Sequence, residues 1–278
     1  VADSHYTLRE TMLNIRKLKI FTLKNEDYII LCTKVDDIFC AKQTNRIGVF
    51  LSFQDTYCLG YDVELMDLFY ELGIRMVQLT ANDANLVGDG CGEPRQAGLT
   101  RLGKLLIKKL NELGILVDLS HVGDQTRSEA IDISEKPCVV SHGNAMGCCQ
   151  NPRNISDSVI KKLSSKGGVI GATTYPSLCT WKSSPTIDDF IDNVDYLVNL
   201  VGYNSVGLGL AQIEGVNLDE YLSQYPELYG PTTWPTGIES ITAWPAIVEK
   251  LLDRGHLEPE VSKLIGGNFL RVMKEVIG

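Results

Sequence analysis

The chain has 278 residues, of which 44% are hydrophobic and 22% are charged, and its formal net charge is −9. This charge argues against a nucleic-acid or anionic-membrane surface, and no apolar run reaches the ~18–20 residues that a membrane span requires. The length is ordinary for one large domain, so we expect a single domain over residues 1–278.

Short apolar runs alternate with amphipathic helical stretches, a pattern typical of βα units and a parallel sheet. Near-continuous apolar character, as in residues 47–51, is typical of strands that are buried on both faces. Eight such runs predict an α/β fold of the (β/α)8 TIM-barrel class. The predicted strands are the N-terminal stub through His5, Tyr28–Thr33, Ile47–Phe53, Ile74–Thr80, Ile115–Ser120, Cys138–Ser141, Val169–Thr174 and Ser205–Leu210.

Helices with a 3.6-residue period are predicted between and after these strands. The clearest are Leu99–Leu113, Asp157–Lys166, Thr186–Val201, Ser240–Arg254 and Pro259–Ile277, the last two after a Pro- and Tyr-rich loop over Ala211–Gly237. In the first of these helices we expect five leucines to share one face: Leu102, Leu105, Leu106, Leu110 and Leu113.

Three of the four histidines, His5, His121 and His142, directly follow or end predicted strands. In a (β/α)8 barrel the chemistry lies at the C-terminal ends of the strands, so we expect these side chains to meet in one pocket. For each of them the alternative of a core histidine with satisfied hydrogen bonds stays open. The fourth, His256, is expected at the surface between C-terminal helices.

The eight cysteines are scattered, and neither C-x-x-C nor zinc-ribbon spacing occurs. Several lie within apolar runs, where a buried thiol behaves as a small hydrophobe. We therefore expect reduced cysteines and a cytoplasmic location. No signal peptide is visible, but a processed secreted form would look the same.

Two of the predicted strand exits carry recognisable motifs. Residues 117–122 are Val-Asp-Leu-Ser-His-Val, and residues 139–145 are Val-Val-Ser-His-Gly-Asn-Ala. They resemble the D-L-S-H and S-H-x-N-A segments of the membrane (renal) dipeptidase family, peptidase family M19. The resemblance extends over nearly the whole chain, and the stretch between His5 and Gln54 looks shortened. Further similar segments are Gly98–Thr100, Pro152–Asn154, Gly167–Gly171, Val206–Gly209 and Gly266–Val272.

The resemblance implies a metal-dependent, amidohydrolase-like barrel that holds two zinc ions. Family members use a His-x-Asp after the first strand, a bridging Glu after the third, two histidines after the fifth and sixth, and an Asp after the eighth. His5, His121 and His142 match the three histidines. The resemblance therefore implies that these three are the metal ligands and catalytic groups.

The carboxylate positions of the family do not match acids in this chain. They fall on Thr7, Gln54 and Ala211, all of which are neutral. Two Zn2+ ions bring four positive charges into one pocket, and without anions their repulsion exceeds what neutral ligands return. A glutamine also cannot bridge two metals as a carboxylate can.

We therefore expect at most one zinc ion, held by His5, His121 and His142 with a water, or no metal at all. Three histidines and a water form a known zinc arrangement. In the metal-free alternative the histidines act as general acid and base.

Neighbouring acids could replace a lost carboxylate. Asp55 points away from Gln54 if the strand continues, and Asp3 shares a face with His5 but lies deeper along it. Glu214 and Asp83 are on rim loops and are the better candidates.

The resemblance also implies substrate-binding residues. Arg153 matches an arginine that binds the substrate carboxylate, Tyr175 matches a tyrosine that lines the pocket, and a substrate-side histidine falls on Ala81. Gln54 is expected to contact substrate as well. Arg153 could instead be a solvated loop residue or pair with a structural acid, and Tyr175 could be a packed aromatic at a strand end.

Together these features predict a divergent dipeptidase-like enzyme that acts on a small dipeptide-like or amino-acid-derived substrate with a carboxylate. The lost carboxylates leave the reaction open among hydrolysis, cyclisation, elimination and amide transfer. The alternative is an inactive homologue that serves as a ligand- or protein-binding module. Because members of the family are often dimers, a homodimer is an expected assembly.

Overall fold

The computed structural model describes residues 6–215, 228–230 and 233–278. The chain divides into two compact units, one formed by Val1–Cys138 with Leu270–Gly278 and the other by Val139–Phe269. In each unit short parallel strands alternate with helices. The single domain expected over residues 1–278 stays a prediction.

The first unit contains two sets of parallel strands. Strand β1 pairs with β2, and β4 lies between β3 and β5. In order, its elements are α1 (Leu8–Lys24), β1 (Ile29–Leu31), α2 (Val35–Gln43), β2 (Ile47–Val49), β3 (Leu51–Phe53), a 3₁₀ turn (Tyr57–Leu59), α3 (Leu65–Glu71), β4 (Ile74–Gln78), α4 (Arg101–Leu113), β5 (Leu116–Asp118) and α5 (Asp124–Ile133).

In the second unit β7 lies between β6 and β8, and all three strands are parallel. Its elements are β6 (Val139–Val140), α6 (Asp157–Ser165), β7 (Val169–Ala172), α7 (Pro176–Cys179), α8 (Ile187–Val201), a 3₁₀ turn (Tyr203–Ser205), β8 (Val206–Leu208), a second 3₁₀ turn (Ile241–Ala243), α9 (Trp244–Asp253) and α10 (Glu258–Ser262). A π-helical segment (Lys263–Gly267) leads into α11 (Asn268–Val276).

The observed strands are shorter than the predicted ones but lie in the same places. The predicted strand Ile47–Phe53 is divided at Phe50, and the register of β3 against β4 shifts between Leu51 and Ser52. All residues of β5, β7 and β8 are buried, as expected for strands with apolar side chains on both faces. The predicted strand through His5 lies outside the described residues.

The predicted helices are found, with two corrections. The buried face of α4 is centred between Leu106 and Ile107, so the prediction that Leu105 shares it is wrong: at 100° per residue Leu105 faces outward and is 55% exposed. The predicted helix Pro259–Ile277 is interrupted, because Gly266 has a non-helical φ of 162°.

The long helix α1 has no counterpart in the sequence analysis. It begins at a capping box in which the Thr7 hydroxyl accepts from the Glu10 N–H and the Glu10 carboxylate accepts from the Thr7 N–H. Thr-Leu-Arg-Glu is the T-x-x-E signal for a helix start, so this helix could have been found from the sequence.

Close packing in the second unit brings two strand exits together. A Cβ atom on Gly209, just after β8, would lie 1.8 Å from the Ser141 carbonyl oxygen, just after β6. Only glycine leaves room for this approach. The residues that follow β6 and β8 are therefore neighbours.

We predict that core packing of α8 stabilises the second unit strongly. Phe190 is fully buried, so Phe190→Ala should lower the free energy of unfolding by about 3–5 kcal/mol. Phe21→Ala makes the same change at a side chain that is 56% exposed and should cost about 0.5 kcal/mol or less. Urea denaturation of both variants measures the difference, and equal effects would contradict the packing described.

Candidate active site

The histidine of the Asp-Leu-Ser-His segment is held in an unusual backbone conformation. His121 has a φ of +60°, a region that costs a non-glycine residue about 1–3 kcal/mol. It is buried, and its Nδ1 lies 2.8 Å from the Oδ1 of Asn82. The turn that leads to it is stabilised by Asp118, whose Oδ1 accepts from the N–H and hydroxyl of Ser120. The fold therefore fixes both the backbone and the ring of His121.

A buried loop after β4 supplies the partner of His121. Asn82 follows Ala81, and its carbonyl oxygen accepts from Gly92 N at 2.8 Å. The neighbouring Cys91 donates its N–H to the His121 carbonyl at 2.9 Å, and its thiol donates to Asn82 Oδ1 at 3.5 Å. Asn82 was not among the predicted site residues, although a polar residue two positions after the predicted strand Ile74–Thr80 was a usable signal.

In the second unit His142 is half-buried after β6. Its Nδ1 lies 2.8 Å from the Ser141 hydroxyl, and its carbonyl oxygen accepts from Arg153 Nη2 at 3.1 Å. Arg153 is only 1% exposed, and its own N–H donates to Asn151 Oδ1. The alternative of a solvated loop residue is therefore wrong for Arg153.

Buried amide side chains connect the exits of β6 and β7. Asn144 Oδ1 accepts from Thr173 N, and its Nδ2 donates to the carbonyl oxygens of Thr173 and Leu178. Asn154 Nδ2 also donates to Leu178 O, at 3.0 Å. A neutral amide can serve main-chain donors and acceptors together, which satisfies the polar groups that such strand ends leave behind. The asparagines of the two motifs thus have a structural role.

Tyr175 is buried in a small aromatic cluster of the second unit. Its ring packs edge-on against Tyr229 and Trp234, with centroids 5.6 Å away in both cases, and Leu178 completes the cluster. These contacts favour the interpretation of Tyr175 as a packed aromatic at a strand end.

The three positions that the resemblance assigns to carboxylate ligands, Thr7, Gln54 and Ala211, differ in local structure. Thr7 caps α1, and its hydroxyl donates to the Glu10 carboxylate at 2.7 Å. Gln54 is exposed directly after β3. Ala211, after β8, has a φ of +56° and no side-chain donor atom. None of them therefore provides an anionic ligand.

Gln54 borders a cavity of about 360 Å³ in the first unit. The cavity lies between α1 and β3. Its wall includes Asn14, Ile15, Phe53, Gln54, Tyr57 and Cys58. The volume is in the range of small-molecule sites.

Two of the acids that could replace a lost carboxylate, Asp55 and Glu214, accept hydrogen bonds from other groups. Strand β3 ends at Phe53, and Asp55 Oδ2 accepts from Ala81 N at 2.8 Å. Glu214 Oε1 accepts from Ile241 N and the Ser240 hydroxyl, both at 2.9 Å, at the start of a 3₁₀ turn.

Asp83 is half-buried, whereas Asp3 and His5 lie outside the described residues. Within residues 6–215, 228–230 and 233–278, no group of three or more His, Cys, Asp and Glu side chains is placed to hold a metal ion.

The expectation of a surface position for His256 is wrong. Its side chain is 8% exposed, its Nε2 lies 2.7 Å from Asp195 Oδ1, and its Nδ1 lies 2.8 Å from the Tyr203 hydroxyl. Asp195 also pairs with Arg254, which bridges α8 and the end of α9. His256 therefore belongs to a structural polar cluster.

Comparison with known proteins identifies the family. The model of membrane dipeptidase, peptidase family M19, matches residues 2–277. This chain belongs to peptidase family M19. It is 32% identical to an amidohydrolase from Pseudomonas aeruginosa, with a TM-score of 0.92 over 98% of this chain and 86% of that one. The predicted fold class, an α/β (β/α)8 barrel, is thereby confirmed.

Two further similar proteins are a dipeptidase and a metallo peptidase. Dipeptidase aclJ of Aspergillus oryzae is 27% identical over 90% of this chain, which spans 57% of that relative's length. A metallo peptidase from Rhodobacter sphaeroides, solved with a phosphinate mimic of L-Ala-D-Ala, is 22% identical. The two structures match with a TM-score of 0.77, and the match covers 89% of this chain and 69% of the Rhodobacter sphaeroides chain. At this identity the likeness concerns the fold.

In the part of the chain that the structure describes, no helix is long and apolar enough to cross a membrane. All eight cysteines are described, and none is joined in a disulfide.

We predict that Glu214 acts as a cap. Its hydrogen bonds from Ile241 N and the Ser240 hydroxyl lower its pKa. A lowered pKa stabilises the fold above the unfolded-state value, and this contribution disappears as the pH falls through the folded-state value. Glu214→Gln should therefore lower the melting temperature at neutral pH, with a difference from wild type that shrinks on acidification.

Glu249→Gln is the matched control, because Glu249 is an exposed acid on α9. Thermal unfolding of both variants at several pH values measures the effect. A Glu214→Gln variant with unchanged stability but a lower zinc content would instead identify Glu214 as a ligand.

Proposed function

We propose that this chain is a divergent M19 enzyme that acts on a small dipeptide-like or amino-acid-derived substrate with a carboxylate, using at most one metal ion. Family membership supports the substrate class. The dipeptide mimic bound by the Rhodobacter sphaeroides relative supports it as well. The observation that carries the proposal is His121, a buried imidazole held by Asn82 in a strained backbone.

The zinc pair that the family implies does not fit the described residues. Thr7 is engaged as a helix cap, Gln54 can offer one neutral oxygen, and Ala211 has none. Two divalent ions at close range need anionic ligands to offset their repulsion and their loss of hydration. A single ion needs less compensation, and we assign it to His121, His142 and His5.

His121 and His142 are the proposed catalytic groups. Imidazole exchanges protons near neutral pH, and a positioned general acid or base contributes about 10²–10⁴-fold to rate. His121 cannot be a solvated residue, because it is buried and its ring is held by an amide. A strained conformation that the surrounding structure maintains is typical of functional positions.

Arg153 is the proposed carboxylate-binding group. Its guanidinium is buried and donates to the His142 carbonyl oxygen, so a carboxylate bound at this guanidinium would lie near that histidine. An arginine fork matches a carboxylate bidentately, in a way that a lysine cannot. Gln54, at the wall of the cavity beside β3, is the proposed further contact with substrate.

The first test compares three histidines in an assay of free dipeptides whose products are identified by mass. This readout separates hydrolysis from cyclisation, elimination and amide transfer. His121→Gln and His142→Gln should lower kcat/KM by about 10²–10⁴-fold. His256→Gln should leave kcat/KM unchanged, because that ring is bonded to Asp195 and Tyr203.

Turnover that survives both His121→Gln and His142→Gln would contradict the proposal. Absence of any turnover, combined with tight dipeptide binding, would favour the binding-module alternative. Circular dichroism of each variant serves as the folding control.

The second test concerns Arg153. Arg153→Lys keeps the charge but loses the planar fork, so KM for free dipeptides should rise about 10- to 100-fold, the equivalent of one charge-assisted hydrogen bond. Dipeptide amides, which lack the carboxylate, should show little change. An equal loss with both substrate types would mean that Arg153 only supports the structure.

A further inference from the structure

Asn82 stands out among the buried polar residues, because it follows the strand exit at which the family histidine is replaced by Ala81. Its side-chain oxygen lies 2.8 Å from His121 Nδ1. We propose that Asn82 is a positioning residue that locks His121 in the tautomer with the proton on Nδ1. The inference deepens the proposed function and, for its effect on rate, rests on it.

The orientation of the Asn82 amide follows from its neighbours. Its Oδ1 lies 2.8 Å from the His121 ring nitrogen Nδ1 and 3.5 Å from the Cys91 thiol. The structure places the amide oxygen, and not the amide nitrogen, against both groups, and in this orientation the Cys91 thiol is the donor. An amide oxygen can only accept, and Nδ1 of His121 must therefore carry a hydrogen.

The main chain around Asn82 keeps the amide in place. Its carbonyl oxygen accepts from Gly92 N at 2.8 Å, and a Cβ atom on Gly90 would lie only 2.2 Å from that same oxygen. Gly90 also forms an antiparallel bridge with Val122, the residue after His121. The Gly90–Val122 bridge therefore joins the loop that carries Asn82 to the turn that carries His121.

A neutral ring with hydrogen on Nδ1 has its lone pair on Nε2. This is the form that can accept a proton or bind a metal through Nε2, and such an orienting partner fixes both tautomer and ring plane. His142 differs, because its Nδ1 partner is the Ser141 hydroxyl, which can donate or accept. The Ser141 contact therefore does not select a tautomer of His142, whereas the Asn82 oxygen selects one for His121.

The test is nuclear magnetic resonance of the full chain with 15N-labelled histidine, recorded about two pH units above the ordinary histidine pKa of roughly 6.5. Only four histidines contribute signals, and His121→Gln assigns one of them. Wild type should show hydrogen on Nδ1 of His121. Asn82→Asp keeps an acceptor oxygen and should preserve that tautomer, whereas Asn82→Ala should lose it.

Cys91→Ala is the matched control, since it removes the thiol that donates to Asn82 Oδ1 and leaves the His121 contact intact. It should preserve the tautomer. Hydrogen on Nε2 of His121 in wild type, or an unchanged tautomer in folded Asn82→Ala, would overturn the inference. If Asn82→Ala does not fold, hydrogen on Nε2 of His121 in wild type or in Asn82→Asp still overturns the inference.

Kinetics supply the second readout. Asn82→Ala should lower kcat by about 10- to 100-fold with little change in KM, and Asn82→Asp should recover most of the loss. A lack of activity in wild type would refute the proposed function alone, because the tautomer is measured without substrate. A normal kcat in Asn82→Ala with a lost tautomer would refute the positioning role.

Discussion

Two divalent cations a few ångströms apart repel each other strongly unless anionic ligands lie around them. This constraint limits the chemistry of the chain, because the positions that the family resemblance assigns to carboxylates are Thr7, Gln54 and Ala211. Thr7 now caps a helix, and Ala211 adopts a left-handed backbone conformation with no donor atom. The nearby acids Asp55 and Glu214 have become acceptors for main-chain N–H groups. Of the ligand positions that the resemblance implies, those on His121 and His142 still carry a side chain that can bind a metal.

The surroundings of His121 and His142 are themselves organised. Asn82 holds His121 in one unit, and Ser141 contacts His142 in the other. The buried amides of Asn144 and Asn154 then satisfy main-chain groups at the exits of β6 and β7. Buried polar groups without partners are costly, so these contacts stabilise the strand exits whether or not a metal is bound. They give the histidines defined positions, which a pure scaffold would not need.

The sequence predicted the barrel class, the order of the strands and most helices, because continuous apolar runs and a 3.6-residue period are local properties. It did not predict the capped helix α1, although Thr7 and Glu10 carried the signal. The division of the strand at Phe50 and the partner of His256 depend on tertiary packing. Motif matching found His121 and His142 but not Asn82, since a hydrogen-bond partner 39 residues away in the chain lies outside the histidine motifs. Asn82, which follows Ala81, therefore became visible as the partner of His121 only in the structure.

Zinc stoichiometry tests the central claim most directly. The protein should be purified without chelators, equilibrated with a small excess of zinc, freed of unbound metal by gel filtration and analysed by inductively coupled plasma mass spectrometry. The loss of the carboxylate ligands predicts no more than one zinc ion per chain, and a lower content in His121→Gln if an ion is bound. Two tightly bound zinc ions per chain would contradict the account.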